Sequence, residues 1–161
     1  KYNIKNNVYP FGDRQSKRYK IIDETLTRLL HLEFLPLIER IVGKKMKPTY
    51  TYLSCYVKGS DLPAHTDRAE CEYTCSYIIG KPKDTTWNIY VHKVKQPVKY
   101  KGRYAKFDNG DPGYTPPKDE CIAVDCEENG LMIFNGTDHI HFREPLEHDY
   151  YNVVLLHYCT E

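Results

Sequence analysis

The residues best equipped for chemistry are a closely spaced pair, His65 and Asp67 in His65-Thr66-Asp67, and a distant histidine, His141, in His141-Phe142-Arg143-Glu144-Pro145-Leu146. Two histidines and one carboxylate form a facial ligand set for non-haem iron(II), with positions left open for small ligands. In an extended segment, side chains two residues apart project to the same side. His65 and Asp67 can therefore grip one ion from a single strand end. The third ligand must come from a distant strand, which only a rolled-up sheet would bring close. His139 competes with His141 for that role, and the step from His141 to Pro145 favours His141. Taken alone, His65 and Asp67 would read as a surface turn with a local Asx-type hydrogen bond.

Two elements would position these residues. From Asp23, a plausible N-cap, the pattern is helical, with Leu26, Leu29, Leu30, Leu37, Ile38, Ile41 and Val42 expected on one side. Pro36 should end one helix and open a second, and Gly43 is a natural stop. Past Pro48 the signal turns to short β-type runs: 50–57, 73–79, 87–94, 121–124, 131–134, 140–146 and 151–158. Gly59, Gly80-Lys81-Pro82, Asn129-Gly130 and Asn135-Gly136 punctuate them. The expected fold class is α+β, mostly antiparallel β: a sandwich, barrel or jelly roll carried on N-terminal helices. The expected organisation is one domain over 1–161. It has an arm or edge strand at 1–20, helical support at 21–45 and the β body at 50–158. A Gly- and Pro-rich insertion at 95–119 reads as a lid over the metal site.

Composition narrows the classes. The formal net charge is +1, which offers no field for nucleic acid or a membrane surface. No apolar run approaches the ~18 residues of a membrane span; the longest, Val153 to Leu156, suits a buried strand. Fifteen tyrosines suit half-buried strands. Among six cysteines, Cys71 and Cys75 with Cys121 and Cys126 have loose zinc-like spacing. Unpaired structural thiols are the preferred reading, with a lean toward a reducing, cytoplasmic compartment. Asn135-Gly136-Thr137 matches a glycosylation acceptor, but a tight turn beside a metal-binding strand should carry no glycan.

An iron(II) held by such a triad commonly takes a 2-oxo diacid as co-substrate. The far carboxylate of that acid needs a cation and hydroxyl donors in a narrow pocket. Arg143 shares the face of His141 if the segment is a strand. Tyr56, before the Gly59 turn, would lie beside the site, and Thr74, Ser76 and Ile78 share one face of the next strand. Each has a blander reading: Arg143 as a strand residue paired with Glu144 or Asp138, Tyr56 as sheet filler, Trp87 as core. The lysines and arginines of 93–106 read as a solvated loop.

Leu53-Ser54-Cys55-Tyr56-Val57-Lys58-Gly59-Ser60-Asp61-Leu62-Pro63-Ala64-His65-Thr66-Asp67 resembles the Tyr, Gly-turn and His-x-Asp segment of prolyl 4-hydroxylase-like oxygenases. Gly130-Leu131-Met132-Ile133-Phe134, followed by His141 and Pro145-Leu146, resembles that family's closing half. The similarity covers roughly 50–158. It implies a double-stranded β-helix that binds iron(II) through His65, Asp67 and His141, with 2-oxoglutarate and O2 as co-substrates. It implies oxidative decarboxylation to succinate and CO2, coupled to hydroxylation of a C–H bond in a peptide or protein substrate, with proline the first candidate. Arg143, Tyr56 and Ser76 are the co-substrate contacts the pattern suggests. One departure stands out. Where the family usually carries an Arg or Lys after the distal histidine, this chain has Tyr150-Tyr151-Asn152. Either Arg143 takes the role, or a cation arrives from another strand, or the co-substrate differs. A metal-binding recognition domain without catalysis and a cupin-like protein are the alternatives.

Overall fold

The computed structural model describes residues 5–6, 10–12, 16–96 and 114–161. Nine strands and one α-helix are found among them. In chain order they are β1 (Arg18–Ile22), α1 (Thr25–Val42), β2 (Met46–Val57), β3 (Leu62–His65), β4 (Tyr73–Gly80), β5 (Ile89–Lys95), β6 (Cys121–Val124), β7 (Leu131–Asn135), β8 (His139–Arg143) and β9 (Tyr150–Thr160). One sheet runs β1-β2-β9-β4-β7 and the other β3-β8-β5-β6. All pairings are antiparallel. The molecule is thus mostly antiparallel β in two sheets with one helical support.

Alternation along the strands explains the layers. Tyr56, Ile78, Met132, Tyr151 and Val153 point between the sheets and pack with Trp87, Ile89 and Leu146. Their neighbours on the opposite face, Met46, Cys75, Val154, Leu156 and Tyr158, meet the helix through Ile38. The central strand β9 is therefore covered on both faces, which accounts for the unbroken Val153–Leu156 run. Trp87 is core, and its indole N–H donates to the Glu144 carbonyl at 2.8 Å.

The helix departs from expectation in three ways. Glu24 is the cap, its carboxylate accepting from the backbone N–H groups of Leu26 and Thr27. Asp23, with a positive φ of 52°, accepts from the Thr51 N–H and ties the chain to β2. The helix also runs through Pro36 without a break. Pro36 is exposed, so the carbonyl its missing N–H leaves is open to water. The turns on either side are held by Phe34, Leu35 and Ile38 against the sheet.

The third difference is rotation about the helix axis. Thr27, His31, Phe34, Leu35, Ile38 and Val42 face inward, whereas Leu26, Leu29, Leu32, Leu37 and Ile41 are exposed. Hydrogen bonds fix that rotation. Thr27 and Thr51 hydroxyls lie 2.6 Å apart, and His31 Nε2 meets the His157 carbonyl at 2.8 Å. Gly43, at a φ of 74°, ends the helix as expected.

All six cysteines are free. Cys71 faces the interior cavity, while Cys75 lies in the core beneath the helix. Cys71 ends a short 3-10 turn before β4 and so escapes the strand alternation that would have put it on the same face as Cys75. Burial pushes both thiols up to about 12. Of the 95–119 segment expected to form a lid, 97–113 lies outside the described residues. No described helix is long and apolar enough to cross a membrane.

Candidate metal centre and its cavity

Between β2 and β3 the chain crosses from one sheet to the other through a tight turn of Val57, Lys58, Gly59 and Ser60, closed by the Ser60 N–H on the Val57 carbonyl at 2.9 Å. Gly59 adopts a φ of 80°, a conformation that costs glycine little. Its N–H donates to the Leu146 carbonyl at 2.8 Å, and the Leu146 N–H returns to the Ser60 carbonyl at 2.7 Å. This exchange ties the segment before His65 to the segment after His141. Strands β3 and β8 then pair so that His65 sits directly opposite His141. Cross-strand partners share a face, and their rings come within 4.3 Å.

Asp67 follows the end of β3. Its N–H donates to the Gly136 carbonyl at 2.8 Å, in the β7–β8 turn, and the Gly136 N–H donates to Glu72 at 2.9 Å. Gly136 is required there for space. A methyl group on its Cα would overlap Asp67 Oδ2 and lie 2.9 Å from Cγ. In the same turn, Asn135 Oδ1 accepts from the Asp138 N–H at 2.9 Å.

Asp67 Oδ1 lies 3.5 Å from His65 Nε2 and 3.6 Å from His141 Nε2. One ligand atom from each of the three falls within 4.8 Å of the others, the only such group of three among the described residues. The outer atoms are engaged elsewhere. His65 Nδ1 meets the Pro63 carbonyl at 2.7 Å and His141 Nδ1 the His139 carbonyl at 3.1 Å. A carbonyl can only accept, so each Nδ1 carries the proton and each Nε2 turns a lone pair inward, as metal-binding imidazoles do. Thr74 donates to Asp67 Oδ2 at 2.6 Å, which leaves Oδ1 as the inward oxygen.

The electrostatics agree with a cation site. Burial lowers the pKa of His65 and keeps it neutral, and His141 beside it acts the same way. Burial alone would raise Asp67, but His141 and His65 beside it hold its pKa well below the usual carboxylate range. A neutral imidazole at His65 and an ionised carboxylate at Asp67 are protonation states in which both can bind a divalent metal. His139 turns away and bonds to the His92 carbonyl at 2.8 Å.

The cavity between the sheets holds the other expected residues. Tyr56, Ser76 and Arg143 all line it, together with the triad. Arg143 is 5 % exposed. Its guanidinium donates to the Trp87 carbonyl and lies 4.5 Å over the Trp87 ring and 5.3 Å over the Tyr151 ring. Burial lowers its pKa, and Tyr151, Tyr56 and Asp125 beside it act the other way. Asp125 itself is bonded to Lys81 at 2.8 Å and Tyr151 at 3.0 Å. Neither suggested partner takes Arg143, because Glu144 pairs with Lys118 and Asp138 with Lys95.

Four lining residues carried no site reading from sequence. Arg18 donates to the Tyr56 hydroxyl at 2.6 Å. His157 is buried beside Thr74, with Nδ1 at 3.1 Å from its hydroxyl and Nε2 unpartnered among the described residues. Burial lowers its pKa to about 4. Phe134 packs 4.8 Å from the His141 ring. Arg68 donates to the Tyr50 hydroxyl at 2.8 Å. The reading of 1–20 as an arm or edge strand allowed for β1, but nothing in that segment pointed to a cavity. Tyr50 and Tyr52 also line the cavity, whereas Tyr73 and Tyr77 pack toward the helix.

Solved structures share this architecture. A prolyl-4-hydroxylase from Pseudomonas putida aligns over 99 % of this chain and 83 % of its own, with a TM-score of 0.60 and 9 % identity. A Trichoplax adhaerens prolyl hydroxylase, solved with a peptide fragment of the hypoxia inducible factor oxygen degradation domain, covers 97 % and 73 %, with a TM-score of 0.62 and 15 % identity. HygX from Streptomyces hygroscopicus, solved with nickel and 2-oxoglutarate, covers 99 % and 76 %, with a TM-score of 0.58 and 15 % identity. In fold, this chain resembles the prolyl 4-hydroxylase-like oxygenases. No protein-family sequence model matches it, and no curated protein matches it by sequence.

Proposed function

We propose that this protein is an iron(II)- and 2-oxoglutarate-dependent dioxygenase. Its reaction would hydroxylate a C–H bond of a peptidyl residue, proline being the first candidate, and release succinate and CO2. The strand orders β2-β9-β4-β7 and β3-β8-β5-β6 support reading the body as a double-stranded β-helix. The observation that carries the functional reading is the pairing of two features in one cavity. One is a buried two-histidine, one-carboxylate cluster aimed inward. The other is a buried guanidinium with no carboxylate in ion-pair contact among the described residues.

The residues fit the implied groups. His65, Asp67 and His141 would hold the metal, which when bound supplies open positions for the keto acid and O2. Arg143 would receive the far carboxylate. A buried cation is costly unless an anion answers it, and a planar fork suits a carboxylate. Tyr56 and Ser76 are the hydroxyl donors on the adjoining wall. Arg143 thus stands in for the cation missing at Tyr151, since its guanidinium lies over that ring. A peptide fragment is bound in one structural neighbour, which supports a peptidyl substrate.

The test is co-substrate turnover. Purified protein with iron(II), ascorbate and 2-oxoglutarate should form succinate, and formation should rise with a prolyl peptide. Metal uptake with no succinate under any condition would return the protein to the class of non-catalytic metal-binding domains.

A further inference from the structure

We propose that Arg18, on the strand that precedes the helix, is a positioning residue that turns the Tyr56 phenol into a fixed hydrogen-bond donor toward the co-substrate. The inference rests on the 2-oxoglutarate reading above and deepens it.

Register delivers the pair. Arg18 lies directly opposite Tyr56 in the β1–β2 ladder, and Tyr56 lies directly opposite Tyr151 in the β2–β9 ladder. Directly opposed residues share a face, so one row crosses three strands on the cavity side. Arg143, arriving from the other sheet, sits over the Tyr151 end of that row. Tyr56 therefore stands between two guanidinium groups, and both arginines line the cavity with it. Arg18 and Tyr56 are each at most 3 % exposed.

Donor bookkeeping does the rest. A guanidinium has N–H donors and no acceptor. In the 2.6 Å contact the phenol oxygen must therefore accept. Its own proton is left to point away from Arg18, toward another acceptor. The Tyr56 ring is held edge-on to Trp87 at 4.9 Å, so the phenol cannot swing aside. Without Arg18 the hydroxyl could rotate and offer lone pairs instead, which repel a carboxylate. With Arg18 it can only donate. A free phenol gives up part of its donor strength to that rotation. A charge-assisted contact removes the choice and polarises the O–H bond. Arg18 thus acts on an anionic ligand through Tyr56, from the edge strand of the five-stranded sheet.

The experiment measures binding of 2-oxoglutarate to the manganese(II)-loaded full chain by calorimetry, without O2. Arg18→Met should weaken binding about fivefold to tenfold, with manganese affinity unchanged. Arg18→Lys, which still donates, should stay within about threefold of wild type, and Tyr56→Phe should lose about as much as Arg18→Met. The deciding measurement is the double variant. Once Tyr56 is Phe, Arg18→Met should cost less than a further twofold, because the two losses are one loss. Multiplying losses would overturn the proposal and make Arg18 an independent ligand or a purely structural residue. Wild-type affinity in Arg18→Met would overturn it as well. Should the Met variant melt early, Arg18→Gln and Arg18→Lys carry the comparison; equal losses in both defeat the idea. If wild-type protein binds manganese but no 2-oxoglutarate, the co-substrate reading itself has failed, which is a separate outcome.

Discussion

The two ends of the cavity are built on different principles. At the metal end the groups converge from short, local pieces, and their outer atoms are engaged. His65 and His141 each spend Nδ1 on a carbonyl two residues away, and Asp67 spends Oδ2 on Thr74. The remaining ligand atom of each points at one spot. At the other end a buried guanidinium rests on Trp87 and Tyr151, with Tyr56 and Arg18 supplied by a separate sheet. The first end is pre-organised by hydrogen bonds for a cation. The second is held by aromatic packing around a buried guanidinium. A site need not be local in sequence to be specific, but only its local part follows from spacing.

The comparison can be broken most sharply at the metal end. His141→Ala or Asp67→Ala should weaken iron(II) or manganese(II) binding by at least about 100-fold, exceeding the range for outer hydrogen-bond partners. His139→Ala, whose ring bonds to the His92 carbonyl, should leave affinity nearly unchanged. Equal losses from the two histidine variants, in a metal titration, would remove His141 from the site.

Gly136 tests whether the carboxylate is held as tightly as the geometry indicates. Gly136→Ala must displace Asp67, because the added methyl overlaps its Oδ2. Metal affinity should fall about 10- to 100-fold, the range for a disturbed outer partner, while circular dichroism stays native. Unchanged affinity would mean that Asp67 has room to move.

Arg143 tests the opposite end. Arg143→Leu should weaken 2-oxoglutarate binding at least about tenfold and spare the metal. Lys should rescue only in part, since it lacks the planar fork. A Leu variant with wild-type co-substrate affinity would shift the anion to Arg18 or Arg68.

The smallest effect concerns His157, which is buried and neutral between the two ends. Its folded pKa is lowered to about 4 from 6.5. The unfolded chain therefore binds its proton first as pH falls. The contribution to stability is complete above pH 6.5 and is lost as pH drops toward 4. Between pH 7 and 5.5 it should cost about 1 kcal/mol. His65 and Asp67 shift in the same direction, so the measurement is the difference between wild type and His157→Leu in urea unfolding of metal-free protein. Parallel pH dependence in the two would show that His157 does not carry the effect.

Much of this architecture was legible in the chain. Cys121 to Val124 is a strand with the bounds read from sequence, and six further runs match strands to within a few residues at each end. Thr74 and Ser76 face the cavity and Cys75 faces the helix, as alternation requires. The short strand Leu62–His65 was hidden, because Pro63 and its brevity mask the pattern. The helix was read on the wrong face, because counting leucines ignores what Thr27 and His31 gain by hydrogen bonding inside. Glu24 was overlooked as the cap in favour of the commoner Asp.

The sequence by itself determined what depends on neighbours along the chain: the face that His141 and Arg143 share and the stop at Gly43. These follow from the two-residue period of a strand and from the left-handed backbone that glycine tolerates. Only the tertiary structure decided that Arg18 meets Tyr56, that Arg143 lies over Tyr151, and that Gly136 leaves room for Asp67. Those contacts depend on which strands become neighbours and in what register. Register is the outcome of burying both sheets and the helix at once, so no window of the sequence contains it.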